Sequence, residues 1–274
     1  MRGAAPPQNG NRRNKSRGGG GNTTEITTED WEAIRNFKAT KIEKSEGTEK
    51  TINDIRVCLN KISAKNVDSQ YTVLISLVRQ IFDSHEFESE EAKRMTTLIQ
   101  DICTSNKFYS EVYAGIYIRL IKEYPIFQTL LDRAFEESFL PSFEGIRYID
   151  SNDGEKYLEF CKNNKENENR KSALLFYIQM MKHAHFDKRN LVKCAERLFG
   201  YIYKYIDEEN RSYEVEEITE NIYLLFTNAN AELSTEQEWE DMMEKVQELA
   251  QMKHTSRPSI SNRAIFKFMD LVEI

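Results

Sequence analysis

Three features of this 274-residue sequence predict an all-helical protein. Residues 22–274 contain only five glycines and three prolines, too few for the many special turns of a β-sandwich or barrel. Glu, Lys, Leu and Ile, which favour helices, are abundant. Apolar residues recur at helical spacing from Thr51 through most of the remaining chain, so the predicted fold class is all-α.

Residues 1–28 are predicted to be a disordered basic arm, because they are poor in hydrophobic residues and rich in Gly, Asn and Arg. The whole chain carries a net charge of −7 and the first 20 residues carry +5, so residues 21–274 carry −12. Because flexible guanidinium groups neutralise RNA phosphates without sequence preference, one interpretation of the arm is RNA binding. The alternative is a soluble tail or a targeting patch. The candidate RNA-binding residues are Arg2, Arg12, Arg13, Lys15 and Arg17.

Residues 29–50 are predicted to be a leader that joins this arm to a helical domain at 51–274. Trp31, Ile34 and Phe37 are apolar at helical spacing, and a polar linker follows them over 38–50. An aromatic side chain in an otherwise polar leader favours a partner surface, and folding back on the first helical hairpin is the alternative.

The helical domain is expected to begin with Thr51 as the cap of its first helix, which carries Ile55 and Leu59 on one face. A last helix is expected to begin after Ser261, with Phe268 on its apolar face. The spacing predicts further helices over 68–83, 90–104, 110–124, 126–139, 171–183, 187–206, 213–226 and 235–253.

The region 142–169 is harder to assign. We expect a short helix at 155–161, followed by the charged run 162–169 as a solvated loop. Pairing successive helices gives about five antiparallel hairpins of roughly 35–45 residues, which is typical of a crescent-shaped solenoid of HEAT-type repeats. A globular helical bundle is the alternative.

No pattern in the sequence favours an enzyme. The phosphate-binding, zinc-protease and nucleophile-elbow motifs are absent, so no catalytic residue and no cofactor are expected. His183 and His185 are two residues apart, which places their side chains about 200° apart on a helix, so no metal site is expected. The cysteines are expected to be small core residues: Cys58, Cys103, Cys161 and Cys194.

Neither a membrane span nor a secretory signal is visible in the sequence, and we therefore expect a cytoplasmic protein without membrane contact.

Four segments resemble a known family, the middle domain of eukaryotic translation initiation factor 4 gamma. Residues 55–63 (IRVCLNKIS) are similar to its opening R-x-I-L-N-K-L-T helix, and residues 108–114 (FYSEVYA) to its P-x-[FY]-x-x-x-Y-A stretch. Residues 170–178 with 191–194 resemble its R-x-x-x-L-x-x-I-x-F-I-G-E-L helix and the next one, although the glycine of that motif is replaced here by Gln179.

The fourth segment is the most specific. Residues 260–272 (ISNRAIFKFMDLV) resemble I-S-S-R-[VI]-R-F-M-[IL]-Q-D-[VL]-[IL]. Among the residues that match position for position are Ser261, Arg263, Phe266 and Asp270, whereas Ile265 replaces the second arginine of the family and Lys267 its methionine. This distance from the family pattern is typical of a divergent copy, for example a viral one.

The resemblance implies a scaffold of five HEAT-type hairpins that binds and stimulates a DEAD-box RNA helicase of the initiation factor 4A type and helps bring it to mRNA. In the leader, Phe37-Lys38-Ala39-Thr40 is similar to the family's W-K-P-S, and Trp31 is the alternative anchor. The residues implied in helicase binding are Trp31, Phe37, Lys38, Asn60, Lys61, Tyr109, Arg263, Phe266 and Asp270.

Other interpretations stay open. The motif for the cap-binding subunit is not seen, so that subunit would bind by another route or through another chain. Within the same superfamily, a helicase-binding scaffold for mRNA decay, deadenylation or splicing is an alternative. A generic helical-repeat adaptor that binds peptides in its groove is a third interpretation.

Overall fold

Ten α-helices of nine or more residues follow one another in residues 47–274, the part of the chain that this computed structural model describes, and no strand occurs among these residues. A three-residue α-helical segment, Leu140–Ser142, lies between the fifth and the sixth. The first five are α1 (Thr48–Asn60), α2 (Val67–Ser84), α3 (Glu90–Thr104), α4 (Ser110–Glu123) and α5 (Ile126–Ala134). The other five are α6 (Tyr157–Lys182), α7 (Lys188–Tyr205), α8 (Ser212–Leu233), α9 (Trp239–Gln251) and α10 (Asn262–Val272). The all-helical prediction is therefore confirmed.

The helices pack in an order that follows the chain. Helix α1 packs on α2, α3 on α4, α7 on α8, and α9 on α10. The even-numbered helices also contact one another in succession, so that α4 packs on α6, α6 on α8, and α8 on α10. This neighbour order agrees with predicted helical pairs, while the assignment to HEAT-type repeats in a crescent stays a prediction.

One continuous apolar core runs through the described helices, from Ile52 in α1 to Leu271 in α10. Its centre is aromatic. Helix α5 continues through a π-helical turn, Phe135–Phe139, which places the rings of Phe135 and Phe139 against Tyr177 of α6, with centroids 4.9 and 5.1 Å away. These large side chains join α5 to α6.

The charged run 162–169 is helical, and the prediction of a solvated loop was wrong. It belongs to α6, whose N-terminal half buries Asn163, Asn167 and Arg170 at spacings of four and three residues. Those side chains lie on one face of the helix, because residues three and four apart are neighbours. Helices were predicted at both ends of α6, over 155–161 and 171–183, but not over the run between them, because the buried face there is polar.

Each of these buried side chains donates at least one hydrogen bond, as a buried polar group requires, whereas the Asn163 Oδ1 atom has no partner among the described residues. Asn163 Nδ2 donates to the carbonyl of Arg147 (3.0 Å), and Arg170 Nε donates to the carbonyl of Ser142 (2.8 Å). Asn167 Nδ2 donates to the hydroxyl of Tyr213 in α8 (2.7 Å). Helix α6 therefore fixes the irregular segment 143–156 on one side and α8 on the other.

Two smaller expectations need correction. Thr51 is not a cap, because α1 begins at Thr48 after Gly47 and Thr51 lies buried inside the helix. Gly47 has φ +62°, a backbone conformation that glycine adopts without strain, and this allows the earlier start. Cys161 is exposed on α6, whereas Cys58, Cys103 and Cys194 are buried as expected.

Among residues 47–274, no helix is long and apolar enough to cross a membrane. Within the same range, no group of three or more His, Cys, Asp or Glu residues is placed to hold a metal ion.

We predict that Phe268→Ala lowers the free energy of unfolding by about 3–5 kcal/mol, whereas Phe266→Ala changes it by about 0.5 kcal/mol or less. Phe268 is fully buried, and Phe266, two residues earlier on α10, is 60% exposed. From the sequence alone, Phe266 could have been either a core residue or a partner-binding residue. Urea unfolding of the two variants measures both values, and equal losses would contradict the assignment.

Tyr213→Phe should cost about 1–2 kcal/mol of unfolding free energy, because it removes the acceptor of the buried Asn167 amide. The matched control is Tyr148→Phe. Tyr148 lies next to Tyr213, with ring centroids 5.9 Å apart, but is exposed and has no hydrogen bond to its hydroxyl among the described residues. Thermal unfolding compares the two variants. If both are as stable as the parent, the buried network contributes nothing measurable.

Candidate functional site

Six of the predicted helicase-binding residues lie in the described part of the chain, and they form two groups. Asn60 and Lys61 are exposed at the end of α1, and the Tyr113 hydroxyl of α4 donates to the adjacent Leu59 carbonyl (3.1 Å). Tyr109, one helical turn before Tyr113, lies just ahead of α4. The first group, Asn60, Lys61 and Tyr109, therefore lies near the contact between α1 and α4.

The second group, Arg263, Phe266 and Asp270, lies on α10 and is exposed. Helix α10 begins at the cap predicted from the sequence, because Ser261 Oγ accepts from the backbone N–H of Ala264 (3.2 Å). The apolar face of the helix is buried, and its other face carries the three predicted residues. Trp31, Phe37, Lys38 and the arm cations Arg2, Arg12, Arg13, Lys15 and Arg17 lie outside the described residues.

A row of ion pairs crosses the molecule between these groups. It begins at Lys107, two residues before Tyr109. The Nζ atom of Lys107 lies 2.8 Å from a carboxylate oxygen of Glu168 in α6. Lys171 of α6 lies 3.0 Å from the other oxygen of Glu168 and 3.1 Å from Glu217 of α8. The row thus joins the turn before α4 to α6 and then to α8.

The row continues from α8 to α10. Arg263 lies 3.4 Å from Glu216 and 3.1 Å from Glu220, both on α8. Lys267 of α10 shares Glu220 at 3.3 Å, and its ammonium also lies 3.9 Å from the ring centroid of Tyr223. We call this surface the ridge: the turn Lys107–Tyr109 together with the faces of α6, α8 and α10 that carry these pairs.

The ion pairs set the charge states along the ridge. The hydrogen bond from Lys107 lowers the pKa of the Glu168 carboxyl, and the bond from Lys171 lowers it further. Burial disfavours the charged form of Lys171, but the carboxylates of Glu217 and Glu168 more than offset this and raise its pKa. Both shifts favour the charged forms of Glu168 and Lys171 at the centre of the row.

Exposed apolar side chains flank the row at both ends. Phe108, beside Lys107, is 85% exposed, and Tyr109 is also exposed. At the other end, Phe266 and Met269 are exposed one turn apart on α10. Large aromatic side chains next to fixed charges are typical of protein-binding surfaces, where they act as anchors.

Sequence reasoning missed most of the ridge. It singled out Tyr109, Arg263 and Phe266 but neither Phe108 nor the pairing partners on α6 and α8. The alternation of Lys and Glu three residues apart at Glu168 and Lys171 was a local signal. The pairs between helices join residues more than 40 positions apart, and they depend on packing that no local pattern contains.

No family model and no curated protein matches this chain.

We predict that Lys107→Met raises the pKa of Glu168 toward its ordinary value, because the largest cause of its lowering is removed. A carboxyl whose pKa is lower in the folded than in the unfolded state stabilises the fold above the unfolded pKa. That stability is lost as the pH falls through the folded pKa. An NMR titration of the Glu168 carboxyl measures the shift, with Lys253→Met as the control. An unchanged Glu168 pKa would contradict the pairing.

Proposed function

We propose that this protein is a translation-initiation scaffold that binds and stimulates a DEAD-box RNA helicase of the initiation factor 4A type and helps bring it to mRNA. The proposal begins from the resemblance of four segments to the middle domain of initiation factor 4 gamma. It is consistent with the all-helical fold and with the packing of helices in chain order.

One observation supports the proposal most strongly. A helical segment matches a family pattern by chance most easily at core positions, because this chain and the family both need apolar residues there. In 260–272, two matching residues, Ile260 and Leu271, are indeed buried. Three others, Arg263, Phe266 and Asp270, are exposed. Ser261 is accounted for by its capping bond, but an exposed phenylalanine contributes little to packing. Recognition of a partner accounts for these three residues better than stability does.

The substitutions in this segment refine the proposal. Ile265, which stands in place of the second family arginine, is buried in the core. Lys267 brings a second cation to Glu220 beside Arg263. The basic surface of α10 is therefore made by Arg263 and Lys267, and we propose that a helicase lobe meets this pair.

The proposed mechanism is a population shift. A two-lobed helicase exchanges between open and closed arrangements, and a scaffold changes that balance only by binding the two arrangements with unequal affinity. The two ends of the ridge carry separate exposed apolar groups, Phe108 with Tyr109 and Phe266 with Met269. We propose that they contact different lobes, so that the scaffold favours the arrangement that fits both, while the basic arm contacts mRNA.

We predict that Phe266→Ala weakens binding to an initiation factor 4A-type helicase by about 30-fold, the loss expected for an aromatic anchor. Leu158→Ala is the matched control, because Leu158 is an apolar side chain on α6 that is 82% exposed and lies apart from the row of ion pairs. Titration of labelled helicase measures affinity, and its ATPase rate measures stimulation.

Absence of binding by the unaltered chain would reject the proposal. Binding that Phe266→Ala and Leu158→Ala weaken equally would reject the assignment of the site to α10. Binding only to helicases of mRNA decay or splicing would support a helicase-binding scaffold but reject its role in translation initiation.

A further inference from the structure

A groove separate from the ridge runs between α3 and α5. Its volume is about 1420 Å³, and its walls come from α1, α3, the C-terminal half of α5 with the π-turn, and α6. Its apolar lining includes Ile52, Leu98, Leu130 and Ala173. This groove is lined by none of the residues that form the row of ion pairs.

A buried cation lies in this groove. Arg170 is 5% exposed, yet it lines the groove and has no carboxylate within ion-pair distance among residues 47–274. Its Nε donates to Ser142 and its Nη1 to Asn167, whereas Nη2 has no hydrogen bond to any described residue. Nη2 lies against Gly145, where an added Cβ would be only 3.3 Å away.

A buried charge without a counter-ion is costly, and native structures compensate such groups by pairing. Burial lowers the pKa of Arg170, and the carboxylates of Glu166 and Glu217, at longer range, partly offset this. Of these, Glu166 also lines the groove and lies 3.8 Å from Lys162. An acidic group from a ligand would complete the hydrogen bonds of the guanidinium, which suits a carboxylate well.

The rest of the lining is also favourable for an acidic ligand. Three cations of the lining have no ion pair among the described residues: Arg56, Arg133 and Lys165. Only two acidic residues of the lining, Asp101 and Glu137, are likewise unpaired among these residues. This excess of unpaired cations occurs on a body that carries −12 over residues 21–274. Over the whole lining, six Arg and Lys residues face five Asp and Glu residues, so the groove carries a net charge of +1 on an acidic protein.

The aromatic residues of the lining distinguish between two classes of ligand. Single-stranded nucleic acid is bound on exposed aromatic faces, on which its bases stack. The groove is lined by Phe139 and Tyr177, and both are buried and packed on each other. Without a stacking platform, the apolar lining suits aliphatic side chains. From this geometry we propose that the groove binds an acidic peptide segment of a partner protein, with one carboxylate on Arg170 and its apolar side chains between α3 and α5.

The test uses the full chain and a fluorescein-labelled decapeptide of alternating Glu and Leu, with a decapeptide of alternating Gln and Leu and an oligouridylate as comparisons. Fluorescence anisotropy at physiological ionic strength should show binding of the acidic peptide only. The double variant Arg133→Glu, Lys165→Glu should weaken it by about tenfold or more, because both residues are exposed cations of the groove.

The charge-matched control is Lys204→Glu, Lys253→Glu, which reverses two exposed cations outside the groove and should leave the affinity unchanged. Arg170→Lys keeps the positive charge but removes the guanidinium group, and it should also weaken binding of the acidic peptide. The groove and control double variants alter only exposed residues, so they decide the outcome even if Arg170→Lys fails to fold.

Several results would overturn the proposal. These are no binding of the acidic peptide, equal binding of the acidic and the Gln-containing peptide, equal loss in the groove and control variants, or binding of oligouridylate alone. The inference does not depend on the helicase proposal, because the variants change neither the ridge nor the leader.

Discussion

Packing of the even-numbered helices on one another is the constraint from which the other features of this structure follow. Helices α6 and α8 each lie between two such neighbours, so each must bury two faces. An amphipathic helix with a single apolar stripe could not satisfy both. The C-terminal half of α6 is accordingly apolar around much of its circumference, and its N-terminal half buries amides and a guanidinium instead. The face that remains free on α6, α8 and α10 then carries the charges of the ridge.

That arrangement also divides the functions of the surface. The ridge lies along α6, α8 and α10, while the groove opens between α3 and α5, where the aromatic side chains of the π-turn join α5 to α6. Arg170 connects the two sides, because it belongs to the helix that carries Glu168 and Lys171 on the ridge and it also lines the groove. The two proposed sites, the ridge for a helicase and the groove for an acidic peptide, therefore use different residues.

The sequence predicted most of the helices closely because their periodicity is local. Helix α3 was predicted over 90–104 and observed at Glu90–Thr104, and α2 differs by one residue at each end. The middle of α6, between the predicted helices 155–161 and 171–183, was missed because the buried positions Asn163, Asn167 and Arg170 look like surface residues until their partners are known. Those partners, the carbonyls of Ser142 and Arg147 and the hydroxyl of Tyr213, are supplied by tertiary packing.

The candidate site was predictable to a smaller extent. Arg263, Phe266 and Asp270 were found by resemblance, and the structure adds that they are exposed. Their pairing with Glu216 and Glu220, and the row that leads to Lys107, depend on the packing of α8 against α6 and α10.

Hydrogen–deuterium exchange of the full chain, with and without an initiation factor 4A-type helicase, tests the central claim most directly, because it locates the contact surface without altering a residue. The account predicts slower exchange upon complex formation at 107–110 and 262–272, with the groove segments 90–104 and 130–142 unchanged. Slowing confined to the groove segments, or no slowing in any described helix, would contradict the ridge as the helicase-binding surface.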